Sequence, residues 1–165
     1  IACLVGSEMC IRDSLNPNTG ETVWKQKTKK ITWGITGSML IDEENLVVPT
    51  RNGIASFCLA NGHNILDYET GIGWRNGVSK LDNRYFLGDE NGNLWSVSKA
   101  GIVESRNLDI GKIRHAPLVI GDKLLIHGQE TSSSNVVIVN VSDYISINRK
   151  KLNSSCKLII IRKIS

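Results

Sequence analysis

Residues 14–24 read S-L-N-P-N-T-G-E-T-V-W. Asn16, Pro17, Asn18, Thr19 and Gly20 are turn formers, and Gly20 reaches positive φ without steric cost. Leu15 stands before the turn, and an alternating run follows it. Alternation sends Thr22, Trp24 and Gln26 to one face of a strand over 22–27 and Val23, Lys25 and Lys27 to the other. The stretch is therefore a turn between two strands. A ring at Trp24 can lie flat over a neighbouring sheet and bury roughly 150–250 Å². Gly20 and Trp24 are expected to act together, the glycine shaping the turn and the ring joining one layer to the next.

Downstream, the chain repeats itself. Three stretches align, beginning at Gly37, Gly77 and Ala116, with starts 40 and 39 residues apart. Asn52-Gly53 matches Asn91-Gly92, and Asp42, Asp82 and Asp122 fall in corresponding places. Gly62 and Gly101 also correspond, with Asp143 in the third copy. The second copy predicts strands over 78–81, 84–88, 93–97 and 102–106. They are joined by turns at Asp82-Asn83, Asn91-Gly92 and Ala100-Gly101. Asn-Gly between apolar runs is a strong hairpin signal, because both residues tolerate positive φ. A four-stranded antiparallel meander recurring at this period is the pattern of a β-propeller blade, which cannot bury both faces alone. A β-sandwich also has strands at short spacing, but it lacks a reason for the repeat. The expected fold is all-β, a partial propeller of about three blades with part of a fourth, and residues 14–24 carry the last two strands of the partial one.

In that frame, L-N-P-N-T-G-E-T-V-W resembles the tryptophan-docking motif of the PQQ-type propeller repeat, roughly A-x-D-x-x-T-G-x-x-x-W. Leu15, residues 16–20 and Trp24 take the motif's places, with Asn16 for its aspartate. At the tryptophan position the next copies offer Leu66 and Ser105, and the turn near Ser142-Asp143 has neither Gly nor Trp. The resemblance runs from residue 14 to about 152. It implies one of two branches. One holds quinoprotein dehydrogenases, which carry pyrroloquinoline quinone and calcium and share an adjacent Cys-Cys pair. The other holds non-enzymatic scaffolds, such as the lipoprotein component of the outer-membrane β-barrel assembly machine, and surface or secreted proteins. Cys3, Cys10, Cys58 and Cys156 are isolated from one another. The expectation is a non-catalytic binding or scaffold propeller, without cofactor, that meets a protein partner through rim loops outside the cytoplasm. The alternatives are a piece of a PQQ-dependent dehydrogenase and a ligand-sensing or adhesive ectodomain.

Candidate residues follow from the repeat. Arg51-Asn52 and Asp89-Glu90 occupy the same hairpin in successive copies and could share one rim. The plainer reading of both is solvated turns. Asp89, Glu90 and Asn91 cluster as calcium ligands do, yet such clusters are ordinary turn chemistry, and no metal is expected. Trp33 and Trp74 fall in the crossings between repeats. They either line the axial funnel or rim, or plug the seams between blades, and the seam reading is preferred. His115 opens the third copy with no acid or nucleophile beside it. His127 falls in a strand. Residues 132–134 are serines without the G-x-S-x-G setting of a nucleophile.

Bulk properties narrow the class. The chain has 165 residues, 41% hydrophobic and 22% charged, as in one ordinary globular domain. Its net charge of +4 is local, because six of its twenty basic residues lie in 149–165 with no acid among them. The remainder carries a net −2. A nucleic-acid partner is not expected, since it needs Lys and Arg spread over a folded face. The apolar run 158–161 is too short to span a membrane. Residues 1–13 resemble a translated library adapter and are expected to be non-native, which leaves 14–152 as the propeller fragment. Residues 153–165 are read as a basic tail or the start of a next blade. Since propellers close with about four to eight blades, the expected partners include the remaining blades of a longer parent chain.

Overall fold

A computed structural model describes residues 11–27, 37–50, 53–69, 76–131, 134–142 and 159–161. Trp33, Trp74, Arg51 and Asn52 lie outside the described residues. The chain divides into two compact units, Ile1–Val78 and Ser79–Ser165.

The first unit holds a hairpin and a sheet. Strands β1 (Ile11–Leu15) and β2 (Thr22–Lys27) pair antiparallel. Three residues of the segment expected to be foreign, Ile11, Arg12 and Asp13, lie within β1 opposite Lys27, Gln26 and Lys25. The first sheet runs in order β3 (Leu40–Asp42), β4 (Asn45–Thr50), β5 (Gly53–Cys58), β6 (Asn64–Glu69). Leu46 and Val48 of β4 pack with Ala55 and Phe57 of β5, flanked by Met39 and Leu59. Val47 and Ile54, on the opposite face, are buried too. The central strands are thus covered on both sides, which explains the unbroken apolar run in β4 where a one-sided sheet would alternate.

The hairpin β1–β2 repeats the geometry of β5–β6. In the first, Gly20 N–H donates to the Asn16 carbonyl and Asn16 N–H to that of Glu21, both at 2.8 Å. In the second, Gly62 N–H donates to the Cys58 carbonyl at 2.8 Å and Cys58 N–H to that of His63 at 2.9 Å. Gly20 and Gly62 stand at φ +73° and +70°. Each ladder carries a register shift just before its turn, at Ser14/Leu15 and at Ser56/Phe57. As a result Trp24 stands opposite Ser14 and Leu66 opposite Ser56.

The second unit contains two four-stranded sheets. One runs β7 (Ser79–Leu81), β8 (Arg84–Gly88), β9 (Asn93–Ser98), β10 (Val103–Asn107), and the other β11 (Leu118–Ile120), β12 (Lys123–Gln129), β13 (Ser134–Asn140), β14 (Ile159–Ile161). Phe86 and Leu94 of the earlier sheet share one core with Leu124, Ile126, Val137 and Val139 of the later. The crossing between the sheets adds Leu108, Ile110 and Ile113 to that core. A side chain at Gly88 would collide with Ile113, and one at Gly128 with the Ile110 carbonyl, so the crossing needs glycine at both places.

One sequence expectation changes here. The turn over 98–101 is shorter than its counterparts over 16–20 and 58–62, and β9–β10 keeps an even register. Glu104, not Ser105, therefore faces Ser96 at the position that Trp24 takes in the hairpin. The fourth strand of the last sheet is Ile159–Ile161, paired with Val136, Val137 and Ile138. A run of β-branched residues suits the open ladder of β13.

Candidate functional site

Among the described residues, two places gather the singled-out side chains. The first is the seam between the hairpin and the first sheet. Trp24 is 8% exposed, and its indole N–H donates to the Leu59 carbonyl at 2.7 Å. The ring lies on Gly62, where an added Cβ would sit 2.5 Å from Trp24 Cε3. Gln26, on the same face of β2, donates from its amide to the Asn61 carbonyl at 3.2 Å. Trp24 and Gln26 thus grip the turn of the neighbouring sheet. Gly20 is remote from this contact and has open space around it. Ser14, opposite Trp24, is buried, and its hydroxyl has no hydrogen-bond partner among the described residues.

The second place is the β8–β9 hairpin. Asp89 is 1% exposed. Its Oδ1 accepts the backbone N–H groups of Asn91 and Asn93, both at 2.8 Å. Its Oδ2 accepts the Asn93 amide at 2.8 Å and the Trp95 indole N–H at 2.9 Å. This carboxylate organises its own turn. Glu90 beside it is exposed and bridges two cations of the crossing, Lys112 Nζ at 3.4 Å and Arg114 Nε at 3.3 Å. The hairpin is tied to the crossing through the backbone as well. Ile113 N–H donates to the Asp89 carbonyl at 2.9 Å, and Leu108 N–H to that of Gly92 at 3.0 Å. Gly92 stands at φ +81°, with the Gly111 carbonyl 2.8 Å from where a Cβ would be.

Sequence reasoning missed three features. Trp95 is the fourth tryptophan, and its bond to Asp89 spans the hairpin. Ser14, Ser56 and Ser96 are buried at matching points of three ladders. They recur two residues ahead of each turn, in S-L-N, S-F-C and S-V-S, and that recurrence is the signal that finds them. In the β7–β10 sheet, Ser96 Oγ accepts Arg84 Nε–H at 2.5 Å, and the Arg84 guanidinium pairs with Glu104 at 2.5 Å. An ion pair there occupies the position that Trp24 fills in the hairpin.

Among the described residues no three His, Cys, Asp or Glu side chains converge as a metal site, and Cys58 is a free thiol. No helix in them is long and apolar enough to cross a membrane.

Four-stranded antiparallel meanders repeated along the chain define a partial β-propeller. Solved structures match this fold. BamB from Moraxella catarrhalis aligns with a TM-score of 0.63 over 81% of this chain and 44% of its own, at 17% identity. The computationally designed protein Ika8 aligns at 0.60 over 84% of this chain and 45% of its own, at 10% identity. The chain therefore spans less than half of either, and the likeness is one of fold. No protein-family profile matches the chain, and no curated protein matches it in sequence.

Proposed function

We propose that this chain is part of a non-catalytic binding or scaffolding propeller that meets a protein partner through its rim loops. The observation that carries the reading is the hairpin built on Asp89. A buried, fully engaged carboxylate holds the turn, and the turn is bonded to the crossing. Glu90, Lys112 and Arg114 are thus displayed at the surface on a fixed frame, which lowers the ordering entropy of docking. By sequence, Arg51 and Asn52 stand at the corresponding hairpin of the preceding repeat, and Trp33 and Trp74 fall in the crossings between repeats. Trp24, with the turn that Gly20 closes, acts as an inter-blade staple rather than a ligand group. The PQQ-like character of the turn, whose non-enzymatic relatives include outer-membrane assembly lipoproteins, and the likeness in fold to BamB support the reading. An extracytoplasmic location goes with it.

The test has two arms. The full-length protein is given pyrroloquinoline quinone, calcium, an alcohol and a dye acceptor. No dye reduction is expected, and robust reduction would replace the scaffold reading with a dehydrogenase. In the second arm, a photo-crosslinker at position 90 in the native host is expected to trap one discrete protein. Capture should be lost in the double variant Lys112→Glu, Arg114→Glu. A yield no higher than from a crosslinker at position 105, on the outermost strand β10, would overturn the rim assignment.

A further inference from the structure

Two histidines distant in sequence meet at one end of the last sheet. His115 lies in the crossing that enters β11 and is exposed, whereas His127 lies in β12 and is half-buried. Their ring centroids are 5.8 Å apart, with the planes tilted by 35°. Among the described residues neither imidazole has a second partner. Each neutral ring offers one lone pair, and imidazole suits copper, zinc and nickel. With metal–nitrogen bonds of ~2.0–2.1 Å, two rings on one ion have centroids roughly 4.5–6.3 Å apart, depending on the bond angle. The observed spacing falls inside that range. The two cations of the same crossing, Lys112 and Arg114, are paired with Glu90, which limits their repulsion of a bound metal ion.

We infer that His115 and His127 form a two-imidazole site for a late first-row divalent metal ion, with water completing the coordination. Copper(II) should bind ahead of nickel and zinc, following the general affinity order of such sites. Bound metal would tie the crossing to the second strand of its sheet and so favour the folded chain. The site is separate from the Asp89 hairpin and does not depend on the scaffold reading.

The experiment titrates the full chain, its thiols alkylated, with copper(II) or zinc(II). Calorimetry gives the affinity, thermal melting the stabilisation, and electron paramagnetic resonance the count of copper-bound nitrogens. Binding with a raised melting temperature and a two-nitrogen copper signal is expected. His115→Gln and His127→Ala should each weaken binding by about tenfold or more, while His63→Ala leaves it unchanged. Because His115 is exposed, its variant keeps the test valid if His127→Ala fails to fold. No binding at millimolar metal, or equal affinity in His115→Gln, would overturn the proposal.

Discussion

At the scale of single residues, Trp24 shows how one ring can join two sheets. Its apolar body rests on a glycine and its only polar atom meets a carbonyl, so burial leaves nothing unsatisfied. Trp24→Ala should destabilise the folded chain by about 3–5 kcal/mol, as for other large buried aromatics. Chemical denaturation measures it, and a loss below about half a kcal/mol would deny the ring its stapling role. The two turn glycines separate conformation from space. Both stand at positive φ, but only Gly62 touches the ring. Gly20→Ala should cost about 1–2 kcal/mol for the left-handed backbone alone. Gly62→Ala should cost that and about 1–3 kcal/mol more, because the added methyl displaces Trp24. Thermal unfolding of the pair, with near-ultraviolet circular dichroism of the tryptophan, distinguishes the two contributions.

At the scale of elements, the β8–β9 hairpin depends on one carboxylate. Asn91-Gly92 announces the turn in the sequence, but nothing there says that Asp89 faces inward and takes four hydrogen bonds. The turn dipeptide is a local preference, whereas the inward carboxylate depends on Trp95 across the ladder. Asp89→Ala should destabilise by about 3 kcal/mol, since donors organised by a buried charge lose their acceptor. The amides of Asn91 and Asn93 should then exchange faster with solvent, as hydrogen exchange by NMR can read. The turns over 16–20 and 98–101 make a second comparison. Shortening the loop removes the register shift, and the residue facing the buried serine changes from a tryptophan to a glutamate. Counting from aligned glycines points to Ser105. The ladder shows Glu104, because a turn of different length moves every residue beyond it.

At the scale of the whole molecule, the last sheet leaves apolar side chains uncovered. Leu118 and Ile120 of β11 are 58% and 52% exposed, although they belong to a strand of apolar residues. An exposed apolar edge strand invites association. The chain alone is expected to self-associate in sedimentation experiments, and Leu118→Lys with Ile120→Lys should return it toward the monomer. Further blades of a longer protein are the proposed natural cover. Stability should also fall at high pH. Burial raises the Tyr68 phenol above its ordinary 10.0. The folded state therefore holds that proton more tightly than the unfolded chain. The associated stability is present below pH 10 and declines as pH rises from there through the folded pKa. Denaturation across that range should show the decline, and Tyr68→Phe should flatten it.

The sequence by itself determined the class of fold. Turn dipeptides and alternating apolar residues act over a few neighbours, and their recurrence at nearly constant spacing implied four-stranded units. It also determined the face of β2 that carries Trp24, since alternation needs no tertiary information. Only the tertiary structure decided what that ring touches, which carboxylate is buried, and how His115 comes to lie beside His127. Those facts depend on pairs of residues far apart in the chain. A shift of one residue in a turn or ladder re-aims every side chain after it, and composition and local pattern do not encode that shift.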